Sequence, residues 1–265
     1  MPKKDQNFDE LVAHFEHKVY GSLKGKLRLK LLKQEFSAQC LMKDPLQKLK
    51  VLDVAGGLSQ MAIWLAKLGH EVTVADISIN MLQRAKEMAQ EEGVDNIQWL
   101  HCPLQQLPEF VKGNKYDLVM AHAILEWLDQ PLQGLQAIEQ LLSSQTLLSL
   151  SFYNHHAITI HNLLRGNFHK VNSGIYRGEK GGLTPLNPIK PEWIREWCVA
   201  QNVSILSEMG LRTFSDYIPK NNSKKISEED IIAMEMKLSH QQPFIGMARY
   251  VHFLGRKKEL LDVIE

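Results

Sequence analysis

A chain of 265 residues that is 44% hydrophobic and 23% charged has the composition of an ordinary globular protein, which excludes disordered and fibrous classes. Its formal net charge is only +1, so any basic surface must be offset by acidic surface elsewhere. The N-terminus MPKKDQNFDE is charged, and no stretch approaches the ~18 apolar residues of a membrane helix, so a cytoplasmic protein with no membrane partner is expected.

In chain order, SLKGKLRLKLLKQEF (22–36) is the first strong pattern, a basic amphipathic helix with Lys26, Lys30 and Lys33 on one face and Leu27 and Leu31 on another. From residue 49, apolar runs of strand length alternate with stretches of helical period. LKVLDVA (49–55) is nearly all apolar, as a parallel strand covered on both faces must be. A helix over 61–69 ends at Gly69, a strand follows over 71–76, and a helix over 80–93. Strands are expected over 96–102, 116–123 and 146–153, with a helix from Pro131 to Leu142 before the last of them. HHAITIHNLLRGN then reads as helix, and 166–190 as a glycine-rich connection without periodicity, long for a compact domain. Ser227 with the acids after it forms a capping box, and GMARYVHFLGRK (246–257) reads as a terminal strand able to close the sheet edge. Strands alternating with crossover helices imply an α/β fold with a doubly wound, mostly parallel sheet. A single domain is expected: an N-terminal helical elaboration over 1–45, a core over 46–153, and a substrate-side elaboration with closing strands over 154–265.

In such a sheet, ligands bind beyond the carboxyl end of the first strand. There the sequence runs Asp53-Val-Ala-Gly-Gly-Leu-Ser-Gln. A dinucleotide loop would read G-x-G-x-x-G, which is absent. The spacing is nearer D-x-G-x-G-x-G, the loop of an S-adenosylmethionine site, with Ala55 and Ser59 replacing the outer glycines. Gly56 and Gly57 are then expected to supply the positive φ that alanine resists. Asp76 ends the second strand, where a carboxylate can accept hydrogen bonds from both ribose hydroxyls of an adenosine or simply organise a turn. Gln105 and the backbone N–H of Leu104 follow the third strand, within reach of an adenine edge, and His122 ends the fourth. The three cysteines, Cys40, Cys102 and Cys198, contain no C-x-x-C pair, so neither a disulfide framework nor a cysteine-rich metal site is expected.

With NFDELVAHF, VYGSLKGKLR, VLDVAGG, ADIS, MLQRAK, HAILEW, SFYNHH, RGNF, GLRTFSDY and ARYVHF, which run from residue 7 to about 253, the chain resembles class I S-adenosylmethionine-dependent methyltransferases. Within them it is most similar to the bacterial tRNA 5-carboxymethoxyuridine methyltransferase family. That resemblance implies a seven-stranded Rossmann-like sheet, S-adenosylmethionine as cofactor, and cofactor contacts from Arg28, Ala55, Gly56, Asp76, Leu104, Gln105 and His122. It also implies tRNA as partner and esterification of a modified uridine's carboxylate at the wobble position.

A carboxylate acceptor is already ionised at neutral pH, so no general base is assigned; no metal is expected either. The site must instead orient an anion, for which Tyr153, Asn154 and Arg212 are candidates. Two basic segments, 18–33 with six Lys or Arg and no acid and 163–190 with five against Glu179, suit a polyanion, with Lys170, Arg177 and Lys180 as phosphate contacts. Three rival functions remain. A small-molecule carboxyl or O-methyltransferase shares every cofactor feature but has no need of basic segments. A noncatalytic RNA-binding module would tolerate Ala55 and Ser59. A nicotinamide dehydrogenase lacks its loop here.

Overall fold

The structure, a computed structural model, describes residues 5–17, 21–39, 47–176, 184–223 and 225–259. Seven strands form one sheet: β1 (Lys50–Val54), β2 (Glu71–Asp76), β3 (Ile97–His101), β4 (Leu118–His122), β5 (Leu147–Tyr153), β6 (Val203–Leu211) and β7 (Tyr250–Lys257). Their spatial order is β3-β2-β1-β4-β5-β7-β6. β1 to β5 are mutually parallel, and β7 runs antiparallel to both of its neighbours. The chain turns from β1 toward β2 on one side and reaches β4 on the other, so the switch point lies between β1 and β4.

Both faces of the sheet are covered, which is why the central strands carry apolar residues at consecutive positions. One layer joins Leu52, Val119, Leu148 and Phe152 to Leu135, Ile138 and Ile194 from helices. The other joins Val51, Val74 and Met120 to Met61, Leu65 and Leu82. The helix Leu23–Ala38 belongs to this second layer, with Leu27, Leu31, Leu32 and Phe36 buried against the sheet and the helix Gln60–Lys67. Its basic stripe is partly engaged: Lys26 pairs with Glu228 at 3.5 Å, and Lys33 lies over the Trp64 ring.

Two expectations about the C-terminal half need correction. The terminal strand does not close the sheet edge; it inserts between β5 and β6, and β6 forms the edge. VSILSEMGL escapes a sequence reading because an edge strand is only partly buried and shows no clean alternation. The connection after residue 166 is also not irregular throughout, since Phe168–Ser173 is helical. The Ser227 cap is present, its hydroxyl accepting from the Asp230 N–H at 3.0 Å to start the helix Glu228–Leu238. Among the described residues, no helix is long and apolar enough to cross a membrane.

Candidate active site

An open cleft, of about 1360 Å³ when the solvent at its mouth is included, lies over the carboxyl ends of the strands at the switch point. β1 contributes Asp53 and the turn Ala55–Gly57, β2 contributes Asp76 and Ile77, and β4 contributes His122 to Ile124. Lys24, Gly25 and Arg28 close it from the helix Leu23–Ala38, and Arg212 and Tyr250 from the ends of β6 and β7. A smaller recess of about 390 Å³ adjoins it and shares Gln6, Ala55, Asp76, Ile77, Ile124 and Trp127. Cys102, Leu104, Leu107 and Leu128 make that recess apolar, the environment a flat aromatic base requires.

The turn after β1 has the backbone of a glycine loop without all its glycines. Ala55, Gly57 and Ser59 have φ of 54°, 54° and 55°, so the three positions of the glycine spacing are all left-handed. This corrects the expectation that Gly56 would share the work, since its φ is not positive. Gly56 is required for closeness: a Cβ there would meet Ser59 Oγ and Val74 Cγ1 at 2.9 Å and Asp53 Oδ2 at 3.0 Å. Of the six non-glycine residues with left-handed φ among those described, Ala55, Ala123 and Arg212 line the cavity and Ser59 ends its loop. The left-handed conformation costs an alanine roughly 1–2 kcal/mol, against roughly 0.4–1 kcal/mol for the extra unfolded-chain freedom of glycine. Ala55→Gly is therefore expected to raise stability by about 0.5–1 kcal/mol in denaturant titration. A loss of stability would show that the Ala55 methyl contributes more by packing than its backbone costs.

Asp76 is 8% exposed and already organises the loop. Its Oδ2 accepts from the Gly57 N–H and its Oδ1 from the Ser78 N–H, both at 2.8 Å. Burial raises its pKa, and these two donors offset part of the rise. The N-cap of the following helix is Ser78 rather than Asp76. Asp53 is held at about 7 by burial and by the Asp76 charge, with Arg28 pulling it down. Arg28 itself makes no hydrogen bond and no ion pair among the described residues, although it lines the cavity. His122 reaches Ser149 Oγ at 2.7 Å, which reaches His252 Nε2 at 2.8 Å. Burial, then His252 and Arg28, keep the His122 ring well below its usual pKa and hence neutral.

Leu104 and Gln105 lie in the recess, but the Gln105 amide donates to Asp5 Oδ2 at 2.8 Å. Asp5 Oδ1 in turn accepts from the Asp129 N–H at 2.9 Å, and the Gln6 N–H donates to the Trp127 carbonyl. The N-terminal segment thus covers the site, with Phe8 packed edge-on against Phe15 and Trp127. Sequence reading missed this cover, although two phenylalanines at a helical spacing in NFDELVAHF were its signal. It also missed Glu126, fully buried between the cavity-lining Ile124 and Trp127 in sequence, with neither carboxyl oxygen partnered and pushed by burial to about 7.

On the acceptor side the three candidates part company. Arg212 borders the cavity. The Tyr153 hydroxyl accepts from Arg249 Nη1 at 2.5 Å. Asn154 is corrected to a structural residue: it is fully buried, caps the helix His155–Leu164 through the His156 N–H, and donates to the carbonyls of Gly246 and Ala248, so no side-chain atom is left for a ligand. Lys170 sits on the helix Phe168–Ser173, apart from the cavity lining, while Arg177 and Lys180 lie outside the described residues. Among the described residues, no group of three His, Cys, Asp or Glu could hold a metal ion.

Comparison with known proteins agrees with this geometry. A family model described as a methyltransferase domain matches residues 51–145. The tRNA 5-carboxymethoxyuridine methyltransferase of Escherichia coli (strain K12) is 35% identical over 262 residues, covering 98% of this chain and 100% of that one. A ubiquinone biosynthesis O-methyltransferase of Ruegeria sp. (strain TM1040) is 30% identical over 120 residues, 45% of this chain and 47% of its own. Among solved structures, magnesium protoporphyrin IX methyltransferase from Synechocystis PCC 6803 with bound SAH superposes with a TM-score of 0.60 at 18% identity, covering 95% of this chain and 96% of that one. This last likeness is one of fold.

Proposed function

Since the chain belongs to the tRNA 5-carboxymethoxyuridine methyltransferase family, and is thereby an S-adenosylmethionine-dependent tRNA methyltransferase, we propose that its product is the methyl ester of 5-carboxymethoxyuridine at the wobble position. The observation that carries the site assignment is Arg28, a guanidinium without an ion pair among the described residues, in the same cavity as Asp76. A half-buried cation lacking a partner fits an anionic ligand group. The cofactor offers one such group and two neutral ones in a matching series: a carboxylate for Arg28, a ribose diol for Asp76, and an adenine for the recess at Leu104 and Gln105. Ala55 and Gly56 bring backbone close to it, and the neutral His122 ring adds no positive charge beside a sulfonium.

When bound, the cofactor supplies an electrophilic methyl: an acceptor carboxylate oxygen forms the new C–O bond as the C–S bond breaks, its electron pair goes to sulfur, and no proton moves. The protein's task is therefore alignment, and no side chain has to act as a base. Lys170 is the described member of the proposed phosphate contacts, together with Arg177 and Lys180.

Nucleoside mass spectrometry of tRNA from cells lacking the gene tests this. The methyl ester is expected to disappear and the free acid to accumulate, and purified protein with S-adenosylmethionine should restore a product that mild alkali returns to the acid. Wild-type levels of ester in the deletion strain would refute the product assignment.

A further inference from the structure

Beside the cavity, four elements bring three cations around one carboxylate. Arg212 follows β6, Arg249 precedes β7, Lys24 begins the helix Leu23–Ala38, and Asp216 lies in the turn Ser215–Tyr217. Arg212 Nη2 donates to both oxygens of Asp216, and Arg249 Nε donates to Oδ2 at 2.9 Å. Lys24 Nζ stands 3.7 Å from Oδ1. Arg249 Nη1 donates to the Tyr153 hydroxyl, whose own proton has no acceptor among the described residues. The Arg212, Arg249 and Asp216 side chains are only 13%, 12% and 8% exposed.

One carboxylate against two buried guanidiniums, with the 60%-exposed Lys24 at the rim, leaves positive charge uncompensated where Arg212 and Arg249 are poorly solvated, which costs free energy until an anion arrives. Two further observations agree. Arg212 Nε is buried with no acceptor, and Arg212 holds its backbone at a φ of 65°. Burial and then the Arg212 charge depress the Lys24 pKa, as an excess of positive potential requires. Although burial opposes it, Arg212 and Arg249 hold Asp216 at about 2, so Asp216 stays ionised and fixes both guanidinium planes.

Resting on the reading that the acceptor is a carboxylate, we infer that Arg212, Arg249 and Lys24, braced by Asp216 and joined by the Tyr153 hydroxyl, form the subsite that holds the acceptor's carboxylate and lets go of it once it is esterified. Lys24 and Arg28 are one turn apart on the same helix, roughly 6 Å along its axis, so the helix presents one cation to each anion. A backbone phosphate shares this chemistry, but Arg212 and Lys24 line the same cavity as Arg28 and Asp76, where the methyl donor is proposed to sit. Methylation removes the acceptor's charge, and with it the attraction to all three cations. The subsite therefore selects charged acceptors and discharges a neutral product.

Binding of two forms of one tRNA, with wobble 5-carboxymethoxyuridine as free acid or as methyl ester, tests the inference at saturating S-adenosylhomocysteine. The wild-type protein is expected to bind the acid at least tenfold more tightly. Arg212→Gln should bring that ratio close to one, and the shape-conserving Tyr153→Phe should reduce it severalfold. Cofactor affinity measured alone should stay within twofold in both variants. Equal affinity of the wild type for acid and ester overturns the subsite, even if the protein makes the ester and the proposed function stands. An equal loss for both forms in the variants, with the ratio unchanged, assigns the cluster to a tRNA phosphate instead. Failure of the wild type to methylate the acid-bearing tRNA would strike the proposed function itself.

Discussion

Arg28→Ala is expected to weaken S-adenosylmethionine binding by about a hundredfold while leaving the thermal midpoint of the free protein within a few degrees of wild type. Hydrogen bonds to charged groups contribute about 1.5–3 kcal/mol each, and a guanidinium grips a carboxylate through two of them. Their loss, taken at the lower end, is about two decades in affinity. The free protein loses no hydrogen bond or ion pair among the described residues, because Arg28 makes none. Arg28→Lys keeps the charge but not the planar fork, and should recover part of the affinity. Titration calorimetry reads the first quantity and a thermal melt the second. If Arg28→Ala binds cofactor normally, the methionine carboxylate is held elsewhere and the cavity assignment must shift toward Lys24.

Asp76→Ala is expected to do two things at once: lower cofactor affinity at least tenfold and destabilise the free protein by about 2 kcal/mol. The affinity loss follows from removing a charged acceptor for ribose hydroxyls. The stability loss follows from the Gly57 and Ser78 N–H groups, both of which donate to this carboxylate. Burial of the charge already costs something, as its raised pKa shows, so the net loss lies below the sum of two full charge-assisted bonds. In a chain of this size that corresponds to a drop of about 4–8 °C in thermal midpoint. An unchanged midpoint with weakened binding would mean that the loop holds its shape through Ala55 and Gly57 alone. A lowered midpoint with unchanged binding would confine Asp76 to turn geometry.

Asp76 also illustrates what can be read from local sequence. Its position at the end of an apolar run, 23 residues after Asp53, marks the strand and the carboxylate. Nothing in that pattern reveals that both oxygens are already engaged by backbone, because that depends on how the loop after β1 folds against β2. Gln105 is similar: its place after β3 was evident, whereas its bond to Asp5, a hundred residues away, was not. Asn154 shows the reverse error. Its position just past β5 suggested a ligand contact, yet the same position made it the helix cap and the clamp on Gly246 and Ala248.

The sequence by itself determined what depends on neighbours along the chain. Apolar runs and helical spacing fixed five parallel strands and their crossover helices, since side-chain period follows from backbone geometry alone. The Asp53 to Ser59 spacing likewise marked a loop whose left-handed positions the structure carries on Ala55, Gly57 and Ser59. Only the tertiary structure decided what depends on segments far apart in the chain: the insertion of β7 between β5 and β6, the N-terminal cover over Trp127, and the gathering of Lys24, Tyr153, Arg212, Asp216 and Arg249. The physical reason is that no local propensity encodes such meetings. They arise when the Leu23–Ala38 helix and the β6–β7 pair bury their apolar faces on one sheet, which brings their charged ends together at its carboxyl edge.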